Sequence, residues 1–259
     1  MLRSIIRSQM YLSRRFDALL PSRFTLDGNR EFFKIVPEML KPGMTVWDIG
    51  GGKQPLISQE LKEKLGLRIV GFDISEDELA AAPAGVYDKT IVADLCSFRG
   101  TGDADLVICQ AILEHVPDTA SAFAGIASIL KSEGKAILFT PSRNAAFARL
   151  NLLLPQRLKE RLLFAFYPEA AGHQGFPAYY DRCTPRQFRR LAEAVGLRVA
   201  EQRLYYQSAY FTFFSPVHLL WRLWVLLFAA VAPESAADEV SSNGACLATA
   251  SGDPARASG

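Results

Sequence analysis

A short run of apolar, β-branched residues that breaks at once into three glycines limits this chain more than any other feature. It reads Thr45-Val-Trp-Asp-Ile-Gly-Gly-Gly-Lys-Gln-Pro55. Val46 to Ile49 has the character of a buried strand, and Gly50, Gly51 and Gly52 then make a tight loop free of side chains. Glycine adopts positive φ without steric cost and lets a ligand approach main-chain N–H groups. A helix expected from about Leu56 aims its N-terminus at the same place. Strand, bare loop and helix in that order imply an α/β fold with a nucleotide-like ligand at the carboxyl end of the strand.

The rest of the chain repeats this unit. Phe32, Phe33, Val36 and Leu40 recur at helical spacing and stop at Lys41-Pro42-Gly43, so a helix precedes the first strand. Beyond the loop, Ile57, Leu61 and Leu65 predict a helix ending near Gly66, and Leu67 to Phe72 a second strand closing on Asp73. Ser75 to Ala81 reads as a short helix, Val86 to Val92 as a third strand ending at Asp94, and Ala104 to Cys109 as a fourth. A helix over Thr119 to Leu130, a Ser132-Glu133-Gly134 turn and a strand from Lys135 to Thr140 complete five repeats. Thr184-Pro185 then opens a helix through Ala194, Leu197 to Tyr206 supplies a sixth strand, and Ala245 to Ala250 a last edge strand. The expected fold is α/β: a Rossmann-like, doubly wound, mostly parallel seven-stranded sheet with helices on both faces and helical insertions after strands 5 and 6.

Four segments depart from the repeat. Residues 1–27 form a basic N-terminal arm ahead of a domain at 28–250, since six arginines between Met1 and Arg30 face only Asp17 and Asp27. That arm suits either a solvated helix packed on the domain or a helix at a membrane surface. Residues 142–182 form an insertion too long for a plain connection, and such insertions are usually functional. Residues 210–231 are the most hydrophobic stretch, but Pro216, His218 and Arg222 interrupt it. A central arginine costs roughly 2.5–3.5 kcal/mol on insertion, so a spanning helix is not expected. The segment either lies in a membrane interface with Trp221 and Trp224 at headgroup level, or is buried in the core or against a second subunit. Neither composition nor periodicity separates these readings. Residues 251–259 read as a disordered tail.

A net charge of +2 is too balanced to imply nucleic acid as a partner. The cysteines, Cys96, Cys109, Cys183 and Cys246, are far apart and lack histidines at ligand spacing, so neither a disulfide framework nor a metal site is expected. With arginines interrupting any signal-like core at the start, the expected location is cytoplasmic, with peripheral contact to the inner face of a membrane as its extension.

Three acids stand at the ends of successive strands: Asp48, Asp73 and Asp94. Asp73 lies 21 residues beyond Gly52 (73 − 52), where two carboxylate oxygens can grip a ribose diol. Each acid alone also suits a helix N-cap.

Together with the glycine loop, these residues resemble the class I S-adenosylmethionine-dependent methyltransferases over roughly residues 28–140. The resemblance implies that Asp48, Gly50, Gly51 and Gly52 hold the methionine part of the cofactor. It further implies that Asp73, with Ile74 beside it, binds the ribose, and that Asp94 with Leu95 meets the adenine. Ala104-Asp-Leu-Val-Ile-Cys-Gln-Ala-Ile-Leu-Glu-His-Val-Pro117 resembles the family's fourth-strand motif, with Gln110 at the cofactor. Gly134 to Pro141 resembles its fifth strand, and Gln54 stands where many members carry a third glycine. The implied activity is in-line methyl transfer from S-adenosyl-L-methionine to a small-molecule or lipid-linked acceptor.

For an oxygen acceptor, His115 is the candidate general base, just beyond the fourth strand; it equally suits opening the next helix against the cofactor. His173, Tyr179 and Tyr180 in the insertion suit an acceptor pocket or simple packing. Two rival readings differ in class. An NAD(P)-dependent oxidoreductase fits less well, because Pro55 replaces the third glycine of its fingerprint and no tyrosine has a lysine four residues later. A non-catalytic cofactor-binding domain is the other, since methyl transfer requires no diagnostic nucleophile.

Overall fold

The computed structural model describes residues 2–155 and 177–250. Seven strands form one sheet: β1 (Thr45–Ile49), β2 (Arg68–Asp73), β3 (Lys89–Val92), β4 (Ala104–Gln110), β5 (Leu130–Pro141), β6 (Leu197–Tyr205) and β7 (Asn243–Ala250). Their spatial order is β3-β2-β1-β4-β5-β7-β6. β1 to β5 pair in parallel, whereas β7 runs antiparallel to both β5 and β6. The sheet is therefore mostly parallel, as expected, but its last strand is not at the edge. β7 offers small residues, Ala245, Cys246, Ala248 and Ala250, all buried, which suit a strand covered on both faces. β6 carries Arg198, Glu201 and Arg203, charges that suit an edge and discourage pairing with another chain.

Alternation along the strands splits the core in two, because successive side chains point to opposite faces. Trp47, Ile49, Phe72, Val107 and Leu138 face α5 (Thr119–Ile129) and the later helix Pro185–Ala194, meeting Phe123, Ile126 and Phe188 there. Val46, Ile69, Leu106, Ile108 and Ile137 face the opposite side and meet Phe32 and Val36 of α2 (Gly28–Met39). Helices thus cover both faces, each begun by a side-chain cap. Asp27 accepts from Asn29 and Arg30 N–H, Asp118 from Ala120 and Ser121, and Thr184 from Gln187.

Three expected boundaries shift for identifiable reasons. Helix α3 (Gln59–Leu65) begins where the Ser58 side chain accepts the Leu61 N–H rather than near Leu56, whose own N–H goes to Asp48 Oδ2 at 3.2 Å. β3 starts only at Lys89: the Asp88 N–H and carboxylate bond across to Ile69, and Tyr87 turns inward ahead of it. The Ser132-Glu133-Gly134 turn is instead a bulge inside β5, where pairing jumps from Ala104–Leu130 to Leu106–Lys135. The short helix after β2 is α4 (Glu76–Ala80), capped by Ser75.

A third layer lies at the carboxyl end of the sheet. β6 runs parallel to β5 because β7 reverses between them, so α6 (Ala146–Leu153) after β5 and α8 (Ser215–Val231) after β6 leave the sheet at the end that carries the glycine loop. The helix Pro185–Ala194 is α7, and α9 (Pro233–Glu239) packs beside α8. The N-terminal arm is a helix, α1 (Leu2–Asp17), docked on α8. Asp17 Oδ1 pairs with His218 Nε2 at 3.0 Å and Arg222 Nε at 2.9 Å. Arg222 also donates to the carbonyls of Tyr206 at 2.8 Å and Phe24 at 2.6 Å. Among the described residues, no helix is long and apolar enough to cross a membrane.

Candidate active site

The glycine loop closes back on β1 through Asp48. Its carboxylate is buried, and Oδ2 accepts the Leu56 N–H and lies 3.3 Å from the Tyr87 hydroxyl, which also meets the Gly52 carbonyl at 3.2 Å. Burial pushes the Asp48 carboxyl up to about 6, opposed by the bonds from Leu56 and Tyr87 and reinforced by the nearby charge of Asp73. A Cβ on Gly51 would lie 2.3 Å from Asp48 Oδ2, so no larger residue fits without moving this carboxylate. Gly50 has φ of 73°, and a Cβ there would also strike the Ile112 side chain at 2.1 Å. Asp48 thus shapes the loop from beneath rather than standing in the open.

Asp73 ends β2. Its Oδ1 accepts the Ser75 N–H at 2.9 Å, which turns the chain into α4. Burial raises its pKa, and the charge of Glu78 adds to the rise. The next residue, Ile74, is 59% exposed, an apolar side chain left at the strand mouth. Asp94 is exposed and accepts the Cys96 N–H at 2.9 Å, whereas the Leu95 side chain is committed to the core beneath α5. Lys53 on the glycine loop reaches Glu78 of α4 at 3.1 Å, bridging the two sides of this mouth.

The exit of β4 is the other wall. Gln110 donates to Asn29 Oδ1 at 3.2 Å, and Ala111 holds φ of 54°, an uncommon conformation for a residue with a Cβ. Glu114 is buried, accepts from Thr140 Oγ1 at 3.1 Å, and has its pKa raised chiefly by that burial. Its backbone carbonyl accepts the N–H groups of both Tyr179 and Tyr180, at 2.8 and 3.0 Å. His115 Nδ1 lies 3.0 Å from the Pro177 carbonyl. A carbonyl only accepts, so Nδ1 carries the proton and Nε2 the lone pair in the neutral ring. Nε2 is 3.9 Å from Glu114 Oε1. The structure therefore brings His115 together with the segment of Tyr179 and Tyr180, more than sixty positions away. Tyr179 is half exposed, while Tyr180 is buried and its hydroxyl pKa is raised by that burial. His173 lies outside the described residues, as does the middle of the 142–182 insertion.

Sequence reasoning missed Tyr87, Glu78 and Thr140 as parts of the site, and read Glu114 only as opening the next helix against the cofactor. One signal for Tyr87 was present: Gly71 sits inside β2, where a Cβ would lie 2.7 Å from the Tyr87 ring. A glycine inside a strand marks such a close approach. The residues at the mouth fit a cationic nucleoside ligand: paired carboxylates at two strand ends, an exposed Ile74 to cover a flat ring, and a lysine already engaged by Glu78. Among the described residues, no group of three or more His, Cys, Asp or Glu side chains is placed to hold a metal ion.

Comparison with known proteins places the chain among methyltransferases. A family model of the methyltransferase domain matches residues 24–202. Ubiquinone biosynthesis O-methyltransferase of Thiobacillus denitrificans is 29% identical over 166 residues, covering 61% of this chain and 66% of that protein. The protein of the same description from Cupriavidus pinatubonensis is 29% identical over 168 residues, covering 62% and 63%. The chain thus spans just under two thirds of the length of these relatives. Among solved structures, an S-adenosylmethionine-dependent methyltransferase from Mesorhizobium loti superposes with a TM-score of 0.54 at 17% identity, over 83% of this chain and 96% of that one. Phosphoethanolamine N-methyltransferase 2 of Haemonchus contortus, in complex with S-adenosyl-L-methionine, gives 0.53 at 17% identity, over 97% and 60%. At these identities the structural likeness speaks for the fold.

Proposed function

Because this chain belongs to the class I S-adenosylmethionine-dependent methyltransferases, we propose that it methylates a hydroxyl oxygen on a small apolar or lipid-linked acceptor. The observation that carries the oxygen assignment is the His115 ring, whose Nδ1–H donates to the Pro177 carbonyl at 3.0 Å. That bond fixes the ring and leaves Nε2 as the basic atom at the β4 exit, suited to take the acceptor's hydroxyl proton. The relatives described as O-methyltransferases support the same acceptor atom.

Bound S-adenosylmethionine supplies a methyl group already activated on a sulfonium, so the protein's work is alignment and exclusion of water. Asp73 would hold the ribose hydroxyls, Asp94 the adenine edge and the Gly50–Gly52 loop the methionine end, with Ile74 against the ring. Tyr179, half exposed beside His115, would line the acceptor side, and Tyr180 would form its buried wall. Asp48 and Asp73 favour a ligand that carries positive charge. A nicotinamide dinucleotide would bring an anionic pyrophosphate to the same carboxylates, which disfavours that rival.

The test incubates the protein with labelled cofactor and a membrane extract and identifies the labelled product by mass spectrometry. An O-methylated, lipid-soluble product is expected. His115→Gln should lower kcat roughly 10²- to 10⁴-fold while leaving cofactor affinity unchanged. An unchanged kcat would remove His115 from the chemistry, and tight NAD binding without adenosylmethionine binding in calorimetry would overturn the cofactor assignment.

A further inference from the structure

Helix α8 is built inside out. Its polar residues Ser215, His218 and Arg222 are buried, at 3%, 0% and 1% exposure, and face α1 and the core. Its outward residues are Val217, Leu220, Leu223, Trp224, Leu227 and Val231, all exposed and recurring at each turn of the helix. Such spacing makes one continuous apolar stripe along the helix. A water-facing helix has the opposite arrangement, so this face is made for apolar surroundings.

The neighbouring elements extend it. On α1 and just beyond it, Ile5, Leu12 and Leu19 recur every seven residues and are exposed. Leu12 and Leu19, with Phe16 and Leu219, line a groove of about 430 Å³ between the two helices, with the exposed Arg15 among its walls. On α6, Leu150 and Leu153 are exposed as well, and Phe147 stacks on Tyr210 ahead of α8 at 4.3 Å between ring centroids. All three helices lie at the carboxyl end of the sheet, the end of the cofactor loop.

Charge distinguishes among occupants. Arg7 and Arg14 form a second seven-residue stripe on α1, flanking the apolar one, and both are exposed. The one acid of α1, Asp17, is consumed internally by His218 and Arg222, and α8 contains none. A second copy in a two-fold contact would meet this surface with its own cationic flank, whereas an anionic bilayer answers both the apolar stripe and the arginines. We propose that the outer faces of α8, α1 and α6 form a docking surface for an anionic lipid bilayer, on which the protein lies without crossing. The surface stands independently of the methyl-transfer reading, although it would bring a lipid-linked acceptor to the same end of the sheet as the site.

Flotation of the full chain with vesicles tests it. Phosphatidylcholine vesicles doped with phosphatidylglycerol should carry the protein upward, vesicles of phosphatidylcholine alone should carry far less, and raised salt should release it. The exposed pair Leu220→Asp/Trp224→Asp should abolish flotation with an unchanged melting temperature. Arg7→Gln and Arg14→Gln should each weaken it roughly fivefold. Wild-type protein that stays at the bottom with anionic vesicles, or variants that float like wild type, would overturn the proposal. So would a dimer in light scattering that Trp224→Asp dissociates, which would assign the face to a second copy. Calorimetry with S-adenosylmethionine on the same samples reads the cofactor site separately, so either reading can fail alone.

Discussion

Replacing Asp48 with asparagine should make the ligand-free protein more stable at neutral pH and no more so in acid. The Asp48 carboxyl is buried under the glycine loop, and its pKa is raised from 3.8 to about 6, with burial as the largest cause. A carboxyl whose folded pKa lies above its unfolded value contributes stability that is fully present below the unfolded pKa. That contribution is lost as pH rises through the folded pKa. The shift of about 2.2 units (6 − 3.8) corresponds to about 3 kcal/mol lost between pH 3.8 and about 6, at 1.36 kcal/mol per unit. Asparagine keeps an oxygen to accept from Leu56 or Tyr87 and has no charge to desolvate. Urea unfolding, followed through the buried Trp47, should show the stability difference, variant minus wild type, growing by about 3 kcal/mol across that window. Tyr87→Phe should move the same transition upward in pH, because the hydroxyl favours the charged carboxylate. A difference that stays flat with pH, or that shrinks as pH rises, would refute the buried-charge argument. The same Asp48→Asn variant should bind the cationic cofactor more weakly, since the field that destabilises the empty site is the one that attracts the ligand.

Other perturbations separate the site from its scaffold. Asp73→Ala should weaken S-adenosylmethionine binding by roughly 1.5–3 kcal/mol, the worth of hydrogen bonds to a charged group, without changing the melting temperature by more than a few degrees; unchanged affinity in calorimetry would reject the ribose role. Arg222→Ala should destabilise the protein by about 3–5 kcal/mol in urea, because it leaves the Asp17 carboxylate with only His218 beside it and two carbonyl oxygens beneath α8 without their donor. A loss below about 1 kcal/mol would show that water takes over those bonds.

What could be read from the sequence was what local chemistry dictates. The strand-glycine-helix transition at Ile49 to Gly52, the helix opening at Thr184-Pro185, and the acids closing β1 and β2 all depend on near neighbours. The parallel pairing of β1 to β5 followed from strand-helix repeats with short connections. The remainder depends on meetings across long stretches of chain, and those leave weak local marks. Tyr87 reaches Asp48 over 39 positions and Asp17 meets Arg222 across most of the protein. Arg222 looked like an interruption in an apolar stretch because a sequence window cannot show that its charge is answered from the other end of the chain. The start of α3 was misplaced for a local reason: hydrophobic spacing favoured Leu56, but the Ser58 hydroxyl caps the helix two residues later.

The position of β7 sets an order of assembly. Among the described residues, β5 finds its outer neighbour, and β6 its only strand neighbour, in residues 243–250. During synthesis the β3-β2-β1-β4-β5 half can pair as it emerges, but β6 has no strand to lie against until nearly the whole described chain has been made. Contacts of such long sequence separation form late and slow folding. Until β7 arrives, the layer of α8 that follows β6 lacks its foundation and shows its apolar stripe without a fixed orientation. The last strand is therefore the keystone of this half of the molecule, and a chain cut before Asn243 should keep the glycine loop while losing the edge of the sheet and the surface built on it.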